Sequence, residues 1–565
     1  MESTKTTGTS DMGNSSTPPD VTSAPPSSEH TTVEVVLSDR QHLAGVTPYH
    51  RPDITPDVRI APVKRRRTTS VFHGTEELPT NFEIYTWYLY GLCSYFILTF
   101  VIPLLFPLII SQVVSSSPSS SASHLQARNL ESFKENLHCR VNEMNLYNGL
   151  TQPSIKVLNS KFSPLEWTAL SWGIGIVLVS PILFYLSPYL DHGPRLLQKL
   201  IFTGAILIGS LSCLPVGFFK VKWIFIPYTI AIVIGNVVST AFETRHLGLM
   251  VRGFFMGSSV QKNQFHESKN IVTSLSLYGT AAGCVAAAAF SAFTYHMLHY
   301  TEKLTSLWVV SIFSGLLWFI GTVHALSANR PSSATTPAST TTRTTHLLSI
   351  FRFPHAIGSL ISVLISSFTS TCIFMGGLHY VVGQLCVKPV FLLFLFLIYF
   401  IFPLFSLPLF HPLQLVMKTD AVRMQFLGFF VSAITSGSGF YFNNKNWNHV
   451  HLSILVAFQS LSVGVLHAFG RVLLLDCTPP NKEGVFSVWF AWTRAVGTCI
   501  GFIVSSAFFD KVGITFGITF CSVIAGMIVL VLGKVSHFSG AVAAGHVVEE
   551  EENAVMSEKG SPDDA

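Results

Sequence analysis

The sequence predicts an all-α polytopic membrane protein with twelve transmembrane helices in two bundles of six, flanked by disordered amino- and carboxyl-terminal tails. Three observations lead there. Of the 565 residues, 49% are hydrophobic and only 12% charged, about half the charged share of a soluble domain. Val390 to Phe410 carries no charge at all; a soluble helix needs a polar face, whereas about 20 apolar residues at 1.5 Å each cross a bilayer. Residues 327–347, nearly all Ser, Thr, Ala, Pro and Arg at their centre, form a flexible linker that divides the apolar runs six and six. That is the layout of a transporter whose two similar bundles enclose a mid-membrane site.

Taken in order, residues 1–81 are rich in Ser, Thr, Pro and Gly and have no long apolar run. Such a composition buries too little surface to offset ordering entropy, so this segment reads as a disordered cytosolic tail. It lacks the layout of a secretory signal, and the first membrane helix is expected to direct insertion. Lys64-Arg65-Arg66-Arg67 stands just ahead of that helix and holds the tail in the cytosol. Thr68, Thr69 and Ser70 follow, where a kinase could partly neutralise the cluster.

The expected spans are about 84–111, 167–190, 198–219, 222–242, 270–297, 304–326, 356–380, 389–411, 421–440, 450–470, 484–509 and 513–535. They make an amino-terminal bundle over 82–326, with a long outer loop at 112–166, and a carboxyl-terminal bundle over 348–536. An acidic cytosolic tail, 537–565, contains Glu549 to Glu552. Trp87, Trp167, Trp223 and Trp308 fall near span ends, where an amphipathic ring prefers the interface. With the amino terminus inside, the cytosolic connections carry Arg195, Lys199, Arg245, Arg252, Arg330, Arg343, Arg352, Arg423, Arg471 and Lys482, against mostly single lysines in the short outer loops. The exception is the long outer loop, with Arg128, Lys134, Arg140, Lys156 and Lys161, and a loop of that length translocates with weak regard to charge. The bias has the sign of the positive-inside rule.

Several function classes are disfavoured. The net charge of +5 comes largely from one basic cluster, and no aromatic-interleaved basic face or zinc-finger spacing supports a nucleic-acid partner. No phosphate-binding Gly-x-x-x-x-Gly-Lys-Ser/Thr loop and no nucleophile–base arrangement is present, so neither ATP-driven pumping nor an enzyme is expected, and no cofactor. Most of the nine cysteines sit in apolar runs as small hydrophobes, and no disulfide framework is implied. His296 and His299 share a helical face but lack further ligands, so no metal site is expected.

The loop between spans two and three reverses the chain at a membrane face through Asp191-His192-Gly193-Pro194-Arg195. Asp191, Gly193 and Arg195 resemble the loop signature of the major facilitator superfamily, an Asp followed four residues later by a basic residue; Ser187 replaces its usual opening Gly. Trp87-Tyr88-Leu89-Tyr90 leading to Ile102-Pro103 is similar to the opening of the autophagy-related vacuolar amino-acid efflux permeases and their bacterial relatives. Gly470-Arg471 through Pro479-Pro480 to Glu483 and Phe486, with Ser274, Gly279 and Gly283 in span five, resembles the same family. One departure matters: Gly91, Leu92, Cys93 and Ser94 stand where relatives carry an Asp and then an Asn, so proton coupling is not inherited by analogy.

The resemblance implies that Asp191 latches the two halves on the cytosolic side, against the positive amino end of a helix near Lys482 and Glu483. It also implies that spans one, four, seven and ten line the cavity. The candidates there are Tyr88, Ser94 and Tyr95; Asn236 and Ser239; Ser366, Thr369, Ser370 and Thr371; and Gln459 and His467. Each could contact a small polar solute or merely bond its own helix.

Arg494 lies about eleven residues into span eleven, some 16 Å at helical rise, where a charge normally faces protein or a water-filled cavity. Its fork could grip a carboxylate, or it could tie two helices together. Glu243 reads either as part of a cytosolic gate or as one half of an exposed helix-end pair with Arg245. The expected function is alternating-access transport of a small polar organic solute, with neutral amino acids leaving the vacuole as the implied substrate. A non-transporting sensor or scaffold with a transporter fold, or a transporter of a sugar or organic acid, is the alternative.

Overall fold

The computed structural model describes residues 78–115, 147–157, 159–219, 221–256, 264–300, 304–328, 330, 346–417, 419–442, 447–479, 481–533 and 535. The basic cluster Lys64 to Arg67, the candidate phosphosites Thr68, Thr69 and Ser70, most of the outer loop and linker, and Glu549 to Glu552 lie outside them.

Among the described residues twelve long helices follow one another. The first, α1, spans Asn81–Val114. Thr80 caps it, its hydroxyl accepting from the Glu83 N–H at 3.2 Å. Its middle, Ile97–Leu105, is π-helical and contains Pro103; a proline with no N–H to give loosens the local ladder, and this buried segment tolerates that. A short hairpin follows, Ile155–Val157 (β1) pairing antiparallel with Ser160–Phe162 (β2).

Then comes α2, Pro164–His192, started by a capping box in which Ser163 and Glu166 satisfy each other's N–H groups at 2.8 and 3.1 Å. The amino-terminal bundle continues with α3, Arg195–Cys213, α4, Phe225–Met256, α5, Gln264–Tyr300, and α6, Leu304–Ile320, prolonged by Thr322–Ser327. The carboxyl-terminal set is α7, Pro354–His379, α8, Pro389–Met417, α9, Ala421–Tyr441, α10, His449–Asp476, α11, Glu483–Ala507, and α12, Val512–Leu532. Eleven of the twelve are apolar enough over their length to cross a membrane. The exception, α9, is diluted by Ser, Thr and Gly and by Arg423.

Twelve crossings put the start of α1 and the end of α12 on one face, called proximal below, with the Asp191 loop; the other face is distal. The bundles meet where α2 and α4 pack on α11 and α5 packs on α8 and α10. Close approach is set by small residues. A Cβ on Gly279 of α5 would meet the Trp87 ring at 2.5 Å, and Cβ atoms on Gly497 and Gly501 of α11 would stand 2.5 Å from the Leu364 and Phe368 carbonyl oxygens of α7.

Two helices outrun their apolar sequence. Helix α4 continues to Met256 and α10 to Asp476, well past the expected ends at 242 and 470. The reason is that their polar continuations are buried and paired: Glu243, Thr244, Arg245, His246 and Arg471 are each less than a tenth exposed. Glu243 is therefore not half of an exposed helix-end pair with Arg245. Glu83, near the start of α1, gathers a further set, accepting a forked pair from Arg330 at 2.7 and 3.0 Å while the His246 ring approaches to 3.0 Å. That pins the start of the interbundle linker to α1.

One further expectation is corrected. Cys386, in the distal loop between α7 and α8, is disulfide-bonded, its partner lying outside the described residues. A lone cysteine in a short loop between two apolar runs gave no sequence signal.

Candidate functional site

On the proximal face Asp191, at the end of α2, is 4% exposed and reaches the first turn of α11 in the other bundle. Its Oδ1 accepts from the Gly484 N–H at 2.5 Å and its Oδ2 from the Val485 N–H at 3.2 Å. These are free donors of a helix amino end, where the backbone dipole also favours a carboxylate. A Cβ on Gly484 would sit 2.6 Å from Oδ1, so only glycine leaves room for the contact.

Nearby, Arg252 of α4 donates to Glu483 at 2.7 Å. His346 brings Nε2 within 3.4 Å of Asp191 and meets Ser187 at 3.5 Å. Burial, with His192 and Lys482 beside it, holds the His346 imidazole below its usual range. Gly193 closes α2, its N–H donating to the Tyr189 carbonyl at 2.8 Å. Arg195 opens α3 exposed to the surroundings, while Gln198 one turn on caps three carbonyls of the α2 end and accepts from Arg245 at 3.1 Å.

Deeper between the bundles lies a cavity lined by Trp87, Gly91, Ser94, Tyr95 and Leu98 of α1, Asn236, Thr240 and Glu243 of α4, Gly279 and Thr280 of α5, His467 and Arg471 of α10, and Arg494 of α11. The spacing on α1 and α4 is that of one helical face. Arg471 donates toward Glu243 across the bundles at 3.4 Å and lies over the Trp87 ring, 5.4 Å from its centroid. Tyr95 packs edge-on to His467 at 5.3 Å.

Arg494 has no carboxylate within ion-pair distance among the described residues. Two guanidiniums and one carboxylate, already engaged, leave the cavity with about one excess positive charge at neutral pH. Its volume is about 20 Å³, room for one or two waters and too little for an amino acid. On the distal side Phe100 meets Phe400 at 6.5 Å and Trp172 meets Phe502 at 5.5 Å, again across the bundles. Contacts between the bundles narrow the chamber on both sides.

Of the sequence candidates, Ser94, Asn236, Glu243, His467 and Arg494 converge on this cavity, with Tyr95 beside them. Tyr88 is not among the lining residues; its ring packs edge-on against Trp87 at 5.5 Å. Thr369 is buried and bonds the Ser366 carbonyl, and Ser366, Ser370 and Thr371 likewise bond carbonyls of their own helix. Helix α7 supplies no lining residue because α11 packs against it through Gly497 and Gly501. Gln459 faces the interior of the carboxyl-terminal bundle, where Thr435 donates to it at 2.5 Å. Ser239 bonds the Asn236 carbonyl at 3.0 Å.

Sequence reasoning did not place Arg471 or Trp87 in the cavity. It counted the first as a loop charge and the second as an interface anchor, although Arg471 falls one helical turn after His467.

No family model matches the sequence, and the search of curated proteins finds no match. Solved structures do match. A bacterial homologue of the iron transporter ferroportin in an outward-facing state aligns with a TM-score of 0.52 at 10% identity, covering 80% of this chain and 99% of that one. The same homologue with soaked iron aligns at 0.51 and 11%, with equal coverage. At that identity the likeness speaks to architecture alone: this chain shares the fold of that bacterial homologue.

Proposed function

We propose that the chain is an alternating-access transporter for a small organic solute that carries a carboxylate, with neutral amino acids the first candidates. The observation that carries this reading is Arg494, a guanidinium with no acidic partner among the described residues, set in an interbundle cavity of net positive charge. A carboxylate would complete it with two parallel hydrogen bonds, while Ser94, Asn236 and Thr280 suit the polar remainder. A metal cation, the cargo named for the ferroportin relative, fits poorly: the lining holds one carboxylate, Glu243, and Arg471 occupies it. The resemblance of Trp87 to Tyr90 to the vacuolar permeases favours amino-acid export from a vacuole.

The protein reconstituted in liposomes is expected to take up labelled neutral amino acids in preference to a sugar or ferrous iron. Iron flux without amino-acid flux would refute the substrate class. Solute binding with no flux would replace transport with the sensor reading.

The disulfide at Cys386 fits a distal face turned toward an oxidising compartment and a proximal face in the cytosol. In sealed vesicles of known orientation, removal of Cys386 is expected to free a thiol that an impermeant maleimide reaches from the non-cytosolic side only. Labelling from the cytosolic side would reverse the proposed orientation.

A further inference from the structure

Within the carboxyl-terminal bundle, α7, α8, α9, α10 and α12 line a second, partly open cavity of about 90 Å³ that shares no lining residue with the interbundle chamber. At roughly 10–15 Å³ per water-sized centre, that is space for about six to nine heavy atoms. Its walls are apolar and aromatic, Phe374, Leu395 and Phe396 among them, so water has little to bond and a packed interior would normally close such a void.

Among the polar groups in the lining, Gln459 carries a buried atom left without a partner. Gln459, about ten residues and 15 Å into α10 from its distal end, is 4% exposed. Its Oε1 accepts from Thr435 at 2.5 Å, and its Nε2 has no partner. Reversing the amide does not cure this. Thr435 lies 3.0 Å from the Ser432 carbonyl and has one hydrogen; if it donated there, it could accept from the amide nitrogen, leaving the amide oxygen bare. In either setting one end of a buried amide faces the cavity unmatched, and such a group is costly.

We infer that this cavity binds a lipophilic alcohol, an apolar ring or short chain whose single hydroxyl completes the Gln459 amide. A hydroxyl both donates and accepts, so it satisfies either amide setting, whereas a pure hydrocarbon satisfies neither. Such an alcohol comes either from the aqueous phase as a small free molecule or from the bilayer as the ring end of a sterol. The site is independent of the chamber at Arg494, so its test holds whether or not solute moves.

The full-length protein in sterol-free nanodiscs is labelled with a diazirine-bearing benzyl alcohol, and the labelled peptides are read by mass spectrometry. Saturable labelling is expected on α7, α8 or α10, displaced by cyclohexanol and not by methylcyclohexane. Displacement by added cholesterol as well would name the bilayer as the source, and displacement by cyclohexanol alone the aqueous phase.

Two variants locate the site. A Cβ on Gly377, which lines this cavity, meets nothing within 4 Å, so Gly377→Leu has room to start its side chain into the space and is expected to reduce labelling at least tenfold. Gln459→Leu removes the amide at similar volume and is expected to reduce it about as much. Unchanged labelling in both variants, or equal competition by methylcyclohexane, would overturn the inference.

Discussion

Asp191→Asn is expected to abolish net solute flux while leaving expression and membrane insertion intact. The carboxylate holds the bundles together at the proximal face through two backbone N–H groups of α11. Asparagine keeps one accepting oxygen but loses the charge, and hydrogen bonds to a charged group contribute about 1.5–3 kcal/mol each. Losing about 2 kcal/mol from the proximally closed state shifts its balance with the open state roughly thirtyfold, since about 1.4 kcal/mol is tenfold.

The variant should then rest open at the proximal face and fail to cycle. Gly484→Ala reaches the same end from the other partner, because the added methyl carbon occupies the space of Asp191 Oδ1. The two variants together should do little more than either alone, since both break one contact. Uptake in proteoliposomes, with surface expression as control, reads all three; flux by Asp191→Asn equal to the parent would remove the latch from the account.

The second large effect is expected at Arg494. If its guanidinium binds the solute carboxylate, Arg494→Gln should raise the half-saturating concentration about 10–100-fold, the equivalent of one charged hydrogen-bonded contact. Arg494→Lys keeps the charge and loses the fork, and should fall between. Solutes lacking a carboxylate should be indifferent to both. Arg471→Gln is a poor substitute for this test, since it strands Glu243 as an unpaired buried acid and threatens folding itself. Equal transport by parent and Arg494→Gln would leave the residue a structural tie between helices.

Much of this was legible in the sequence because bilayer physics is severe. Long charge-free runs have few alternatives to spanning helices, and the polar linker split them evenly. The Asp191 loop was legible for the same reason, as five residues between two such runs must turn the chain. The ends of α4 and α10 were not legible. Hydropathy stops where charge begins, whereas Glu243 and Arg471 are buried because each finds the other in the opposite bundle. That pairing lies 228 positions apart, so no local pattern records it.

The hydroxyls of α7 and the amide of Gln459 misled for a related reason. A polar side chain in an apolar helix announces a need for a partner, and the sequence does not say whether that partner is the helix's own carbonyl, a neighbour or a solute. Thr369 found the first and Gln459 half of the second.

The central claim is a chamber between two bundles that opens to each face in turn, and Asn236 tests it most directly. It lies about eleven residues into α4, some 16 Å deep, lines the cavity and is 3% exposed in the closed state. With the free cysteines replaced, Asn236→Cys should react slowly with a membrane-impermeant thiol reagent in the parent. In the Asp191→Asn background it should react readily from the proximal face and be protected by transported solute. A cysteine there that stays inert from both faces, in both backgrounds, with and without solute, would contradict the account.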